Sequence, residues 1–320
     1  NAAGGAHGLA GDTERLVAPS QEVQRLALLG TPMARNLFLA AQALSMIGEA
    51  RFHQGRLREA EAANRQIVEL AESQGAEPGK LNRAVPPPFA GMGYIGLAAV
   101  QLERYQLQAA AQSLEQGLAL SGQGGIGYKH LDAFCTMARL RGTEGDVAGA
   151  VAALEQAEAY APLPLHKLQL AAFAVRFWLD QGDLAMAHRW LDRPVPRRVP
   201  VVVGEVMDMT RARIALVEGD WDRVLALFDT VVASAERPPA LRMARVVEMA
   251  LLKAQALEAM GERQPALESL EKATFLAASE RAMLTFLELG PDLAVLLRAL
   301  KDQGRGPQPY TCLLYTSPSP

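Results

Sequence analysis

The sequence predicts an all-α fold, a right-handed superhelical α-solenoid of about six helical hairpins. Three observations predict it. First, within 133–191 the runs Met137-Ala-Arg-Leu-Arg-Gly-Thr-Glu-Gly-Asp146 and Ala174-Val-Arg-Phe-Trp-Leu-Asp-Gln-Gly-Asp183 are two copies of one pattern, and Ala212-Arg-Ile-Ala-Leu-Val-Glu-Gly-Asp220 is a third. In each, an apolar helical run closes on Gly-Asp and a second helix opens on a bulky apolar residue, Val147, Leu184 or Trp221. Self-similarity at this period marks stacked helical pairs. Second, the turn residues Gly55, Arg104, Gly145, Gly182, Gly219 and Gly261 recur at intervals of 49, 41, 37, 37 and 42 residues. Third, strand signals are poor: Ala and Leu dominate, and the one alternating β-branched run is 199–203.

The turn register explains its neighbours. Glycine suits the left-handed residue that ends a helix, and the Asp that follows in three copies can cap the next helix. Five residues past each mark stand Ala60, Ala109, Ala150, Ala187, Val224 and Ala266, small enough for two helices to approach closely. Nine past it come Leu154, Leu191, Phe228 and Leu270 in the last four copies, an inward face of the second helix.

Taken in order, residues 1–32 are Gly/Ala-rich, poorly defined, with a short helical patch at 13–29. The first hairpin pairs 33–54 with 57–74. A loop over 75–88 carries Pro86-Pro87-Pro88, which cannot continue a helix. The second pairs 89–103 with 105–120, the third 130–145 with 146–160, and the fourth 165–181 with 183–191, its second helix stopped by Pro194. The segment 193–200 holds three prolines and three arginines and reads as a bent, solvated break in the superhelix. The fifth pairs 206–218 with 220–235, the sixth 240–260 with 263–279, and a helix over 292–301 after Gly290-Pro291 forms an end cap. The superhelical domain therefore covers 33–304. Residues 305–320 read as a disordered tail. Within it, 311–320 has no helical period, ends in alternating Ser-Pro, and resembles translated adapter read-through more than native protein.

Composition narrows the function. Basic and acidic residues are mixed along the helices and the net charge is −3, which leaves no field suited to gripping a nucleic-acid backbone. Cys135 and Cys312 lie far apart, which argues against a disulfide framework. No run approaches a membrane span. The start, Asn1-Ala-Ala-Gly-Gly-Ala-His7, has neither an initiator Met nor the form of a signal peptide, so the chain reads as a fragment of a cytoplasmic protein.

Enzymatic motifs do not assemble. Gly122-Gln-Gly-Gly-Ile-Gly127 spells a dinucleotide fingerprint but follows a helix rather than a strand. Gly79-Lys80 lacks the spacing and hydroxyl of a P-loop. His7, His53, His130, His166 and His188 form no ligand spacing for a metal. Cys135 falls on an apolar helix face as a core thiol, and Glu155/Glu158 are charges on a solvated helix. The expectation is a non-enzyme with no catalytic residue, no metal and no cofactor in this segment.

Two patterns remain as candidate groove residues. Arg139, Arg176 and Arg213 stand six residues before the turn mark, 37 apart, and should form a ladder along one side of the stack. Such a ladder either meets an anionic effector or partner or pairs with a Glu or carbonyl of the adjacent helix and fixes stacking. A feature recurring at the structural period is structural in the first instance. The second pattern is the aromatic and basic cluster Tyr128, Lys129, His130 and Phe134, which could stack on a sugar or base, or simply pack.

The two Gly-Asp runs, extended to Glu158 and Leu191, together with the closing Phe286-Leu-Glu-Leu-Gly-Pro-Asp-Leu…Leu296-Leu297, resemble the tetratricopeptide-like (TPR-like) superhelical region of ATP-dependent LuxR-type transcriptional regulators, the MalT-like family. The resemblance spans about 33–304. It implies a middle module that receives a small-molecule inducer or regulatory protein and signals to the regulator's own ATPase module. It also implies ATP only in that upstream module and DNA binding only in a downstream helix-turn-helix. The alternative is a free-standing TPR-type scaffold that docks peptide or protein partners.

Overall fold

Every hairpin turns on one residue in the left-handed region. In the computed structural model, which describes residues 20–21, 33–74, 87–122, 129–194, 196, 198–238 and 241–317, these are Gly55, Tyr105, Gly145, Gly182, Gly219 and Gly261, with φ between 60° and 84°. At each turn the next residue's N–H reaches back five positions to a helix carbonyl, as in Asp146 to Arg141 and Asp183 to Trp178, both 2.8 Å. This is the bond that satisfies a helix end after a left-handed residue. Asp146, Asp183 and Asp220 then cap the following helix through Gly149, Met186 and Arg223 N–H groups. In the second copy the turning residue is Tyr105 rather than Arg104, whose φ is −83°. The register there moves by one, and the small buried residue is Ala110 rather than Ala109. With that correction Ala60, Ala110, Ala150, Ala187, Val224 and Ala266 are all 0% exposed.

The hairpins are α1 (Met33–His53) with α2 (Leu57–Gln74), α3 (Ala90–Glu103) with α4 (Leu107–Ser121), α5 (His130–Thr143) with α6 (Val147–Ala159), α7 (Pro164–Asp180) with α8 (Leu184–Leu191), α9 (Val201–Glu218) with α10 (Trp221–Ala235), and α11 (Met243–Ala259) with α12 (Arg263–Ala278). Three further helices follow: α13 (Leu284–Leu287), α14 (Gly290–Asp302) and α15 (Gln308–Thr316). Among the described residues every regular element is helical. None of these helices is long and apolar enough to cross a membrane.

The first helices of the hairpins form an inner layer in which α1, α3, α5, α7, α9 and α11 pack in succession, and α11 also packs on α1. The stack thus closes on itself. Polar contacts seal the closure: Arg58 donates to the Ser279 carbonyl at 2.7 Å and its N–H to Glu280 at 2.7 Å, and Arg104 bridges Glu61 at 2.5 Å and the Glu280 carbonyl at 3.2 Å. The largest apolar core lies behind this junction, where Leu251, Leu270, Phe286, Leu293 and Leu300 bury their side chains. Each contributes about 1.5–3 kcal/mol of burial.

The structure departs from the sequence reading in three further places. The first helix of the fifth hairpin, expected from 206, begins at Val201, because Pro200 supplies an extended residue just before it and Val202 and Val203 find a buried site that overrides their β propensity. Residues 193–200 do not break the stack, since α9 packs directly on α7 across them. The tail expected to be disordered forms α15, for Tyr310 and Leu314, one helical turn apart, are 6% and 2% exposed against the C-terminal core. Apart from residues 20–21, the segment 1–32 lies outside the described residues, as does most of the 75–88 loop.

Candidate functional site

The arginine ladder lies where the closed stack faces its own centre. Arg139 projects from α5, Arg176 from α7 and Arg213 from α9, at one register set by the Gly145, Gly182 and Gly219 turns. Arg139 grips Glu288 through two bonds, Nε to Oε1 at 2.5 Å and Nη2 to Oε2 at 2.8 Å, and its Nη1 donates to Glu103 of α3 at 3.0 Å. Arg176 shares Glu288 at 3.1 Å and donates to Glu248 of α11 at 2.7 Å. Arg213 donates through Nε to the same Glu248 oxygen at 2.8 Å. The result is one alternating chain of charges, Glu103, Arg139, Glu288, Arg176, Glu248 and Arg213.

The packing alternative for the ladder is therefore present, but only Glu103 and Glu248 come from adjacent inner helices. Glu288 comes from the turn between α13 and α14, which crosses the concave face. That segment is further held by backbone bonds, Met283 N–H to the Glu103 carbonyl at 2.7 Å and Thr285 N–H to its carboxylate at 3.0 Å. Gln255, which occupies the ladder register on α11, donates to the Leu289 carbonyl at 2.9 Å.

Burial strains the charges and the pairing answers it. For Glu248, burial disfavours the carboxylate, yet Arg176 and Arg213 hold its carboxyl down to about 2. Glu288 is likewise held down by Arg139 and Arg176 against burial. Arg213 is the weakly served end: burial and then the nearby Arg176 lower its pKa, and its Nη2 has no hydrogen-bond partner. Asp180, at the end of α7, forms no hydrogen bond or ion pair among the described residues. The residue is exposed at the edge of the cavity, and partial desolvation there, with the like charge of Glu288, shifts its carboxyl upward.

The ladder separates two cavities. One of about 1070 Å³ extends from Arg139, Arg176 and Arg213 past Asp180 to Trp221 and Val295. A second of about 280 Å³ lies on the other side, toward Glu49 and His53. The larger one joins apolar walls, including Phe173, Phe177, Leu216 and Leu252, to a few convergent polar groups, the usual make-up of a small-ligand site. The buried Cys135 also lines it, and burial raises its thiol pKa well above the usual value, which keeps it protonated.

The second predicted cluster is not gathered there. Lys129 pairs with Glu49 at 3.3 Å and Asp132 at 3.1 Å. His130 and Phe134 instead pack on Tyr160 with ring separations of 4.7 and 5.6 Å, and His130 bonds Ser121 at 2.8 Å. Tyr128 lies outside the described residues, as do Gly79-Lys80, His7 and the part of the glycine-rich fingerprint beyond Gly122. His188 pairs with Glu218 at 2.8 Å on the surface. Among the described residues no group of His, Cys, Asp and Glu could hold a metal. Sequence reasoning missed Glu103, Glu248, Glu288 and Asp180. Glu248 and Glu288 belong to no repeated register, and the position two before the turn mark holds Thr143, Asp180 and Val217 in the three matched copies, so no pattern singled out Asp180 either.

The family described as the MalT-like TPR region matches residues 2–303. Two solved structures to which the chain is similar are a tetratricopeptide repeat protein from Parabacteroides merdae and BtubC (BKLC) from P. vanneervenii. The first is 15% identical, with 86% of this chain and 97% of that one covered and a TM-score of 0.39. The second is 16% identical, with 84% and 92% covered and a TM-score of 0.32. No curated protein matches the chain. The fold and the family match are those of a TPR-like helical domain, of the kind that serves as an interaction or regulatory module.

Proposed function

Because the chain belongs to the MalT-like TPR family, we propose that it is the effector-sensing module of an ATP-dependent LuxR-family transcriptional regulator, and that its effector enters the cavity bounded by the arginine ladder. The observation that carries this reading is the double duty of Arg139, Arg176 and Arg213. All three line a cavity of about 1070 Å³; Arg139 and Arg176 also hold the turn carrying Glu288 across the concave face, and Arg176 and Arg213 share Glu248 of α11. A molecule in that cavity competes with Glu288 and Glu248 for the guanidinium groups. Any such competition biases the position of α13 and α14, to the extent that the molecule binds one arrangement better than the other. In the whole regulator this displacement is the signal to the ATPase module, and the promoter is read by a helix-turn-helix.

The scaffold alternative, a groove for extended peptides, lacks comparable support. The 283–290 segment already occupies the concave face with its backbone bonded to Glu103. The test is Val217→Trp, which narrows the cavity from a half-exposed position on its rim. In the full-length regulator the variant should remain folded and bind promoter DNA but lose its response to inducer. A normal inducer response overturns the cavity as the sensing site, and a natural reading frame encoding no P-loop ATPase and no helix-turn-helix overturns the regulator assignment.

A further inference from the structure

The ion-pair chain across the concave face ends unevenly. At one end Glu103 satisfies both carboxylate oxygens, with Arg139 and with the Thr285 N–H. At the other end Arg213, 7% exposed, has only a share of Glu248 Oε1, which also accepts from Arg176. Its Nη2 is buried without an acceptor. A guanidinium in that state is costly, and a planar carboxylate is the group that matches its fork. At the same register on the adjacent helix α11 the buried Gln255 Oε1 has no donor, while its amide nitrogen is committed to Leu289. The apolar part of the cavity lining includes Phe173, Phe177, Leu216 and Trp221.

We propose that the cavity takes a small organic monocarboxylate with an apolar, aromatic-sized body and one hydroxyl or N–H donor, its carboxylate on Arg213 and its donor on Gln255. The proposal rests on the cavity being the sensing site and adds the chemistry of the occupant. The opening for an anion is local to Arg213 Nη2, because the wall as a whole carries no excess of positive charge. The wall carries three guanidinium groups against the carboxyl groups of Asp180, Glu258, Glu288 and Asp292. One added carboxylate completes the pairing of Arg213, whereas a phosphate dianion brings a second charge toward those acids.

Asp180 makes the site pH-sensitive. It is faced by Glu288 from the turn before α14, by Arg213 from α9, by Arg176 from its own helix and by Arg139 from α5. With the Asp180 carboxyl protonated a ligand carboxylate meets no added repulsion. Once it ionises, it repels the ligand and competes for Arg213. Affinity for a monocarboxylate should therefore be lower where Asp180 is ionised than where it is protonated, while affinity for the uncharged amide should not change.

The test uses the 320-residue chain and two probes, indole-3-acetate and indole-3-acetamide, by titration calorimetry at up to about 5 mM, which covers the millimolar affinity expected of a few contacts. The acid should bind, the amide should bind far less, inorganic phosphate should not displace the acid, and Arg213→Gln should weaken the acid by about 10- to 100-fold, as loss of a charge-assisted bond predicts. If Arg213→Gln does not fold, the ratio of acid to amide affinity in the wild-type chain carries the same decision. Equal binding of acid and amide, or displacement of the acid by inorganic phosphate, overturns the monocarboxylate assignment. If the amide alone binds and Val217→Trp abolishes that binding, the ligand class is wrong and the sensing cavity stands. If neither probe binds and Val217→Trp leaves the full-length regulator responsive, both readings fall.

Discussion

Replacing Glu288 by Gln removes the charge that joins two arginines while keeping the side chain's shape. Glu288 is 4% exposed, and its partners Arg139 and Arg176 are 12% and 16% exposed, so solvent screens the pairs little. Breaking a buried ion pair from one side costs about 3–5 kcal/mol, because the remaining charge loses its compensation. Here Arg139 keeps Glu103 and Arg176 keeps Glu248, which places the expected loss at the lower end, about 3 kcal/mol. Urea unfolding at pH 7, followed by circular dichroism, reads the loss. Native-state amide exchange locates it, with Met283 and Thr285 N–H groups losing protection first, since both are bonded to Glu103. A double-mutant cycle with Arg139→Gln should give a coupling of at least about 1 kcal/mol. A loss below about 0.5 kcal/mol, the size of an exposed pair, together with unchanged protection at Met283, would show that the ladder does not hold the segment.

Further outcomes are expected from other positions. Glu248, lowered to about 2 from an unfolded value of about 4.3, stabilises the fold above that unfolded value, and the contribution disappears as pH falls toward 2. The contribution is of order 3 kcal/mol, and Glu248→Gln should flatten the acid limb of the stability profile. A parallel decline in parent and variant would refute it. Asp180 has the opposite sign: its carboxyl is shifted upward beside Glu288, so its ionisation lowers stability as pH climbs above about 4, and because the residue is exposed solvent screens most of the effect; Asp180→Asn should be slightly more stable than the parent at pH 8 and equal to it near pH 4. Thermal melts at the two pH values check this. Gly182→Ala meets no atom within 4 Å of the new Cβ but must hold φ near +71°. It should cost about 1–2 kcal/mol through backbone strain alone, and an unchanged melting temperature would mean that the turn relaxes.

What the sequence made legible is what repeats. The Gly-Asp turns, the small residues five positions later and the Arg139, Arg176 and Arg213 register all recur at 37 residues, so one copy predicts the next and neighbours pack as expected. Tyr105 escaped the pattern because a tyrosine takes the left-handed position that glycine fills elsewhere, and only the buried Ala110 betrays the true register. Closure of the stack was not legible. Nothing local in Arg58 or Glu280 announces that residues 222 apart will bond, because periodicity specifies contacts between adjacent repeats and leaves accumulated curvature undetermined. The same limit hid the partners of the ladder. Glu248 and Glu288 lie off the repeat register, and the second belongs to a segment that follows the last hairpin. A regular stack of arginines on its own would be a column of like charge. It becomes a device only where non-repeated acids interrupt it, and those acids run out at Arg213. The place where the pairing fails is thus set jointly by a repeated feature, which fixes the guanidinium in space, and an unrepeated one, which leaves it partly unmatched beside an open cavity.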